Sequence, residues 1–295
     1  MLREYTVDIP TARGIEQIAL FERSEGEYPF LAWHGITAVN RFWYWDVLWD
    51  WGQVTLAGLP GHGPVRQYPR EHYAGWSTEH FIDVGVQTAR LVGGGRPMTL
   101  IGHSTGGMIG LGVAMRAPEL VERLILISPV IWNDLRGLVG LWLRLCRWPD
   151  LARLVIAANL APGKYFYPLM RLSMRTLISD PQGFYGNPLT DTTLRLALPH
   201  YRQTPVEGVL GTARVLRQTD LRPLIQSLRP SVPILLLHGD RDGIVPVEQS
   251  RWLAKTLPNV KLIEVPGAGH VSWAEREWFV NEQVRQWCGL HPVER

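Results

Sequence analysis

Seven short apolar runs alternate with helix-length segments, and this rhythm limits the fold more than any other feature of the chain. The runs cover residues 15–23, 28–33, 53–57, 97–101, 121–127, 233–237 and 261–265. Helical patterns occupy residues 78–91, 105–116, 247–257 and 274–287, and residues 41–51 carry aromatics at helical spacing. Strands buried on both faces read as continuous apolar runs, because water reaches neither side of the sheet. Their alternation with helices indicates βαβ units, a parallel sheet and right-handed crossovers. The expected class is α/β, with a mostly parallel central sheet flanked by helices.

The rhythm stops once. Between residues 131 and 218 the chain reads as helical segments broken by Pro149, Pro162, Pro168, Pro181, Pro188, Pro199 and Pro205, with no clear strand. The expected organisation is a core formed by residues 1–129 and 219–295, with an all-helical cap at 130–218. A length of 295 residues suits one domain with an insertion.

Composition removes several classes of function. The net charge of +3 is too mild, and the basic residues too scattered, for nucleic-acid binding. Cys146 and Cys288 have no paired spacing and read as small buried hydrophobes. No apolar stretch has signal-peptide or membrane-spanning length, so a cytoplasmic protein is expected.

The chemistry sits at strand ends. Gly102-His103-Ser104-Thr105-Gly106 has the form G-x-S-x-G, follows an apolar run and opens a helix. That context defines a nucleophile elbow: a sharp turn exposes the serine hydroxyl, and glycines let neighbouring backbone pass close. Serine needs a base to become a good nucleophile, and the base needs a carboxylate to orient it. Two later loops also stand directly after apolar runs. Residues 238–246 (His-Gly-Asp-Arg-Asp-Gly-Ile-Val-Pro) offer Asp240 and Asp242, and residues 266–270 (Pro-Gly-Ala-Gly-His) offer His270.

With these motifs in place, the chain resembles the α/β-hydrolase superfamily over nearly its whole length. The matching segments are His34-Gly35, Gly102–Gly106, Gly239–Pro246 and Gly269-His270. The resemblance implies Ser104 as nucleophile, His270 as base and Asp242 as the acid, with Asp240 bracing its loop. It implies backbone N–H groups of Thr105 and Ile36 as the oxyanion donors, with Ile36 also facing the substrate. His34, His62 and His103 are expected to be scaffold. No metal or organic cofactor is required, so the cofactor expectation is none.

The insertion would then lie over the active site. Residues 130–220 hold eleven Lys/Arg against six Asp/Glu. Leu135, Leu138, Leu141, Trp142, Leu145 and Trp148 share a broad helical face, with Arg136, Arg144 and Arg147 around it. Such a face can pack on the core, wall an acyl pocket, admit anionic substrates or touch lipid weakly. Trp142 and Phe166 are the candidate substrate contacts, with Tyr165 and Tyr167 beside them. The partner expected is a small-molecule ester with an apolar or acyl-chain body, cleaved through an acyl-enzyme. Carbon–carbon bond hydrolases, lactonases, perhydrolases and acyltransferases share the same triad. A ligand receptor on a hydrolase scaffold is the non-enzymatic alternative, separable by multiple turnover.

Overall fold

All seven apolar runs form strands, and an eighth strand precedes them. The computed structural model describes residues 2–23, 28–43, 52–228 and 232–290. The strands are β1 (Leu2–Thr11), β2 (Gly14–Arg23), β3 (Tyr28–Trp33), β4 (Gly52–Ala57), β5 (Met98–His103), β6 (Val121–Ile127), β7 (Ile234–Gly239) and β8 (Val260–Val265). They make one sheet in the order β1-β2-β4-β3-β5-β6-β7-β8. β2 runs antiparallel to β1 and β4, and every other pair is parallel. The central β5 and β7 are buried at every residue, which is why they read as unbroken apolar runs.

β1 was not visible as an apolar run. It pairs with β2 along its length, from Leu2↔Arg23 to Thr11↔Gly14. Only Ile9 within it is fully buried. At the sheet edge, Arg3, Glu4 and Asp8 blunt further strand pairing instead of filling a core.

Outside the segment between β6 and β7 the helices are α1 (Arg70–Ala74), α2 (Thr78–Gly93) and α3 (Thr105–Arg116) before β6, then α11 (Val247–Thr256), α12 (Ser272–Glu275) and α13 (Glu277–Cys288) after β7. Ser77 caps α2 by accepting the His80 N–H, and Gly94 ends it in the left-handed conformation. α3 carries Gly106, Gly107, Gly110 and Gly112, each costing about 1 kcal/mol in an isolated helix. Close packing offsets that cost: a Cβ on Gly107 would lie 2.7 Å from Pro129 Cβ, and one on Gly112 would overlap Ile82.

Between β6 and β7 come α4 (Gly137–Leu145), α5 (Pro149–Tyr165), α6 (Tyr167–Ser173), α7 (Pro181–Gly186), α8 (Leu189–Gln203), α9 (Val206–Gln218) and α10 (Arg222–Leu228). An antiparallel bridge between Trp132 and Asp220 closes the neck of this insertion. The buried Gln249 fastens it to α11 (Val247–Thr256): its oxygen accepts from Ile131 and Trp132 N–H, and its amide donates to the Trp132 and Asp134 carbonyls.

The closing helix expected at 274–287 is two helices, α12 (Ser272–Glu275) and α13 (Glu277–Cys288). Arg276 leaves helical geometry at φ −133°, ψ 47°. The break leaves the Glu275 carboxylate turned inward, where three N–H groups meet it. Of the aromatic stretch at 41–51, a single turn at Asn40–Trp43 is seen, with Trp43 buried. Trp45, Trp49 and Trp51 lie outside the described residues. Cys146 and Cys288 are buried and unpaired.

Candidate active site

The elbow is built from backbone contacts. Ser104 sits between β5 and α3 with φ 55° and ψ −114°, a conformation that strains any residue but glycine. Its N–H donates to the Ile127 carbonyl (3.0 Å), and its own carbonyl accepts from Met108 (3.2 Å) and Val130 (3.1 Å). These bonds on both sides hold the strained residue. Gly102 and Gly106 are required sterically: a Cβ on Gly102 would overlap the Gly106 carbonyl, and one on Gly106 the Trp33 carbonyl.

Asp242 and His270 meet across the ends of β7 and β8. His270 Nδ1 lies 2.8 Å from Asp242 Oδ2. Asp242 Oδ1 accepts the Ile244 and Val245 N–H groups at 2.8 and 3.0 Å. His238 Nε2 approaches Oδ2 at 3.2 Å. Burial disfavours the carboxylate, but attraction to His270 and hydrogen bonds from His238 and His270 hold Asp242 well below the usual carboxylate range. Asp242 is therefore held ionised, and its Oδ2 is placed to accept a hydrogen bond from His270 Nδ1–H. Asp240 is elsewhere: its Oδ1 accepts the Gly267 N–H at 2.7 Å and braces the two loops.

Ile36 and Thr105 also converge. The Ile36 N–H donates to Thr105 Oγ1 at 3.2 Å. Thr105 opens α3, so its own N–H is a first-turn donor with no carbonyl inside the helix. A Cβ on Gly35 would lie 2.9 Å from Ser104 Cβ and 3.0 Å from His103 Nδ1, so the loop after β3 passes directly over the elbow.

The other histidines near the motifs are buried in bonded roles. His34 Nδ1 donates to the Gly35 carbonyl and Nε2 accepts the Leu59 N–H. His62 Nδ1 meets the Pro60 carbonyl. Burial, with His62 nearby, pushes His34 down to about 3; burial likewise brings His62 to about 4. His103 Nε2 lies 3.1 Å from the His270 carbonyl, and burial beside the His270 ring lowers its pKa well below the usual value.

A cavity opens above His103 and His270. Ile36, Val39 and Phe42 line it from the core, and Leu138, Trp142, Leu160, Met170 and Met174 from the insertion. Trp142 is thus on the wall, its indole N–H held by Asn159 Oδ1 at 3.1 Å. Phe166 is not. It is 63% exposed on the outer surface, with Tyr165 at 69% beside it, and neither lines the cavity. Phe166 ends α5 and starts α6, and Met170, four residues on, turns inward in its place. Tyr167 also lies outside the lining and bonds Asp191. Of the apolar face expected near 135–148, Leu135 and Trp142 are buried, whereas Leu141 and Trp148 are exposed.

Glu275 carries no sequence signal. It is 3% exposed, and its two oxygens accept N–H groups of Ser179, Asp180 and Gly269. Burial raises its pKa, and the three N–H donors oppose that rise. His270 N–H also donates to the Leu177 carbonyl at 2.9 Å. The histidine loop is therefore fastened to the insertion by one buried carboxylate and one backbone bond. No motif marks a carboxylate whose partners are all backbone groups of distant loops.

A family model for the alpha/beta hydrolase fold matches residues 53–276. A pimeloyl-[acyl-carrier protein] methyl ester esterase of Chromobacterium violaceum is 27% identical over 229 residues, covering 76% of this chain and 79% of that protein. A putative carbamate hydrolase RutD of Serratia proteamaculans is 29% identical over 180 residues, covering 61% of each. Among solved structures, a thermophilic esterase from Thermogutta terrifontis superposes with a TM-score of 0.73 at 22% identity, covering 97% of this chain and 98% of that one.

Proposed function

Since this chain belongs to the alpha/beta hydrolase fold family, we propose that it cleaves carboxylic esters with apolar acyl or alcohol portions, through an acyl-enzyme on Ser104. The observation that carries the reading is the 2.8 Å contact between His270 Nδ1 and an ionised, doubly N–H-bonded Asp242, at the same sheet edge as a strained Ser104. Strain of this kind persists where surrounding structure over-determines it, commonly at reacting groups.

In this reading Ser104 Oγ attacks the ester carbonyl carbon, and His270 Nε2 takes its proton. Asp242 holds the ring and stabilises the imidazolium. The negative charge on the carbonyl oxygen is met by the Thr105 and Ile36 N–H groups; the latter turns from Thr105 Oγ1 to the oxyanion. The imidazolium then protonates the leaving alcohol. Water, deprotonated by His270, releases the acid and restores Ser104. The helices between β6 and β7 act as a lid unit, with residues 130–218 supplying Trp142 as an apolar wall and Ile36 facing it from the core.

Relatives named as a methyl ester esterase and a putative carbamate hydrolase support acyl-oxygen or acyl-nitrogen cleavage. The apolar lining favours the ester reading. The test is steady-state turnover of p-nitrophenyl esters from short to long acyl chains, wild type beside Ser104→Ala. A maximum at one chain length, lost in the variant, is expected. A folded wild type that turns over no ester would redirect the assignment to carbon–carbon cleavage, acyl transfer or ligand reception.

A further inference from the structure

Helix α5 has two apolar faces, and the protein covers only one of them. Ala152, Ile156, Leu160 and Gly163 point inward and are buried. On the opposite side Leu151, Leu154, Ala158, Ala161 and Tyr165 fall within a sector of roughly 80°. Leu151 is 46%, Leu154 66% and Tyr165 69% exposed. The stripe continues onto α6 through Phe166, Leu169 and Leu172, all exposed and three residues apart. Of the sixteen bulky apolar side chains exposed among the described residues, ten lie in the insertion. Exposed apolar side chains are ordinary when scattered; a continuous stripe on two successive helices marks a contact surface.

Charge says what covers it. Residues 131–218 carry eleven Lys/Arg and five Asp/Glu, a net +6, so the rest of the chain is at −3. Exposed Arg144 and Arg147 stand before Trp148 at the start of the stripe, and exposed Arg175 stands just beyond Leu172 at its end. Arg153 and Arg171 are already engaged by Glu207 and Asp191. Leucines and aromatics between arginines suit an interface that is hydrocarbon within and anionic at its rim. An acidic protein would match the arginines but leave the leucine stripe without a reason.

We propose that the outer face of α5 and α6 docks on the surface of an anionic lipid bilayer. The inner face of α5 remains packed on the protein, so the helix lies in the plane of the headgroups and does not cross the membrane. The arginines draw the positively charged side of the molecule towards the bilayer, and the stripe inserts among the acyl chains. This reading does not depend on the reaction proposed above.

The test is flotation of the full-length protein with vesicles of phosphatidylcholine alone or with about 30% phosphatidylglycerol, in ~0.1 M salt. Wild type should bind the anionic vesicles at least about tenfold more strongly than the neutral ones, and raising salt to ~0.5 M should weaken that binding several-fold. Leu154→Glu with Leu172→Glu should reduce binding about tenfold while the melting temperature stays near wild type. Three results would overturn the proposal: no flotation of wild type, equal binding to both vesicles, or undiminished binding of the double variant. Concentration-dependent pairing of wild type in sedimentation, abolished by the same variant and without flotation, would assign the stripe to a second copy of the chain and also overturn it.

Discussion

Helices α3 and α5 are both apolar on more than one side, yet they are held by opposite means. α3 is buried at every residue except its last, and its glycines let Pro129, Leu124 and Ile82 approach its backbone closely. α5 is fixed on one side only, and its outer leucines touch solvent. In α3 sterics dictate sequence residue by residue. On the outer face of α5 the leucines are exposed, and the proposed membrane contact supplies a reason for them. The elbow is a place where small changes break the site; the insertion is a place where they retune its surroundings.

The largest expected break is Ser104→Ala. Turnover should fall by about four orders of magnitude or more, since the remaining groups lose their nucleophile. The melting temperature should hold, because the variant keeps the backbone bonds at Ser104. Asp242→Asn should cost about 10³–10⁴ in kcat by removing the carboxylate that fixes the His270 tautomer. Both are read by steady-state kinetics on one ester.

The comparison is sharpest with one substitution made in two places. Gly106→Ala pushes a Cβ into the Trp33 carbonyl and should destabilise by ~3 kcal/mol or more, or prevent folding. Gly186→Ala, at the end of α7, meets no atom within 4 Å and should be neutral or stabilising by ~0.5–1 kcal/mol. Urea titration of both variants measures the contrast.

Acid should destabilise the folded chain through two histidines buried in the core. His34 and His62 titrate near 3 and 4 in the folded chain against 6.5 for a free histidine. Below about pH 6.5 the unfolded chain takes up protons that the folded chain refuses, so stability falls as pH drops towards 4. Above pH 7 these two groups contribute no slope. Asp242, held ionised, adds a further loss once pH falls below the ordinary carboxylate value of 3.8. Thermal melts at pH 8, 6 and 4 should show this decline, and His62→Gln should flatten part of it.

A more modest effect on activity tests the join between the two regions. Glu275→Gln replaces a carboxylate that accepts three N–H bonds from both sides of the join. It should cost ~1–2 kcal/mol and lower kcat several-fold with little change in KM, because His270 loses its brace while the cavity wall is kept. A change in KM alone would place Glu275 with the substrate instead.

These differences explain what could be read without a structure. The central strands were legible because burial on both faces forces uninterrupted apolar runs. The elbow motif and the two later loops were legible because sterics fix glycine at Gly102 and Gly106 and because each loop directly follows a strand. β1 was not legible, since an exposed edge strand needs no apolar run. Trp142 and Phe166 had equal claims in sequence, but one lines the cavity and the other faces outward. Helical periodicity tells that a face is apolar; it does not tell which of two apolar faces points in. Glu275 escaped notice because its partners are backbone groups, which any sequence supplies.

Trapping with a fluorophosphonate ester, followed by peptide mapping, tests the central claim most directly. A single adduct per chain is predicted, on Ser104, absent in Ser104→Ala and formed far more slowly in Asp242→Asn. An adduct on any other residue, or ester turnover that survives Ser104→Ala unchanged, would contradict the account.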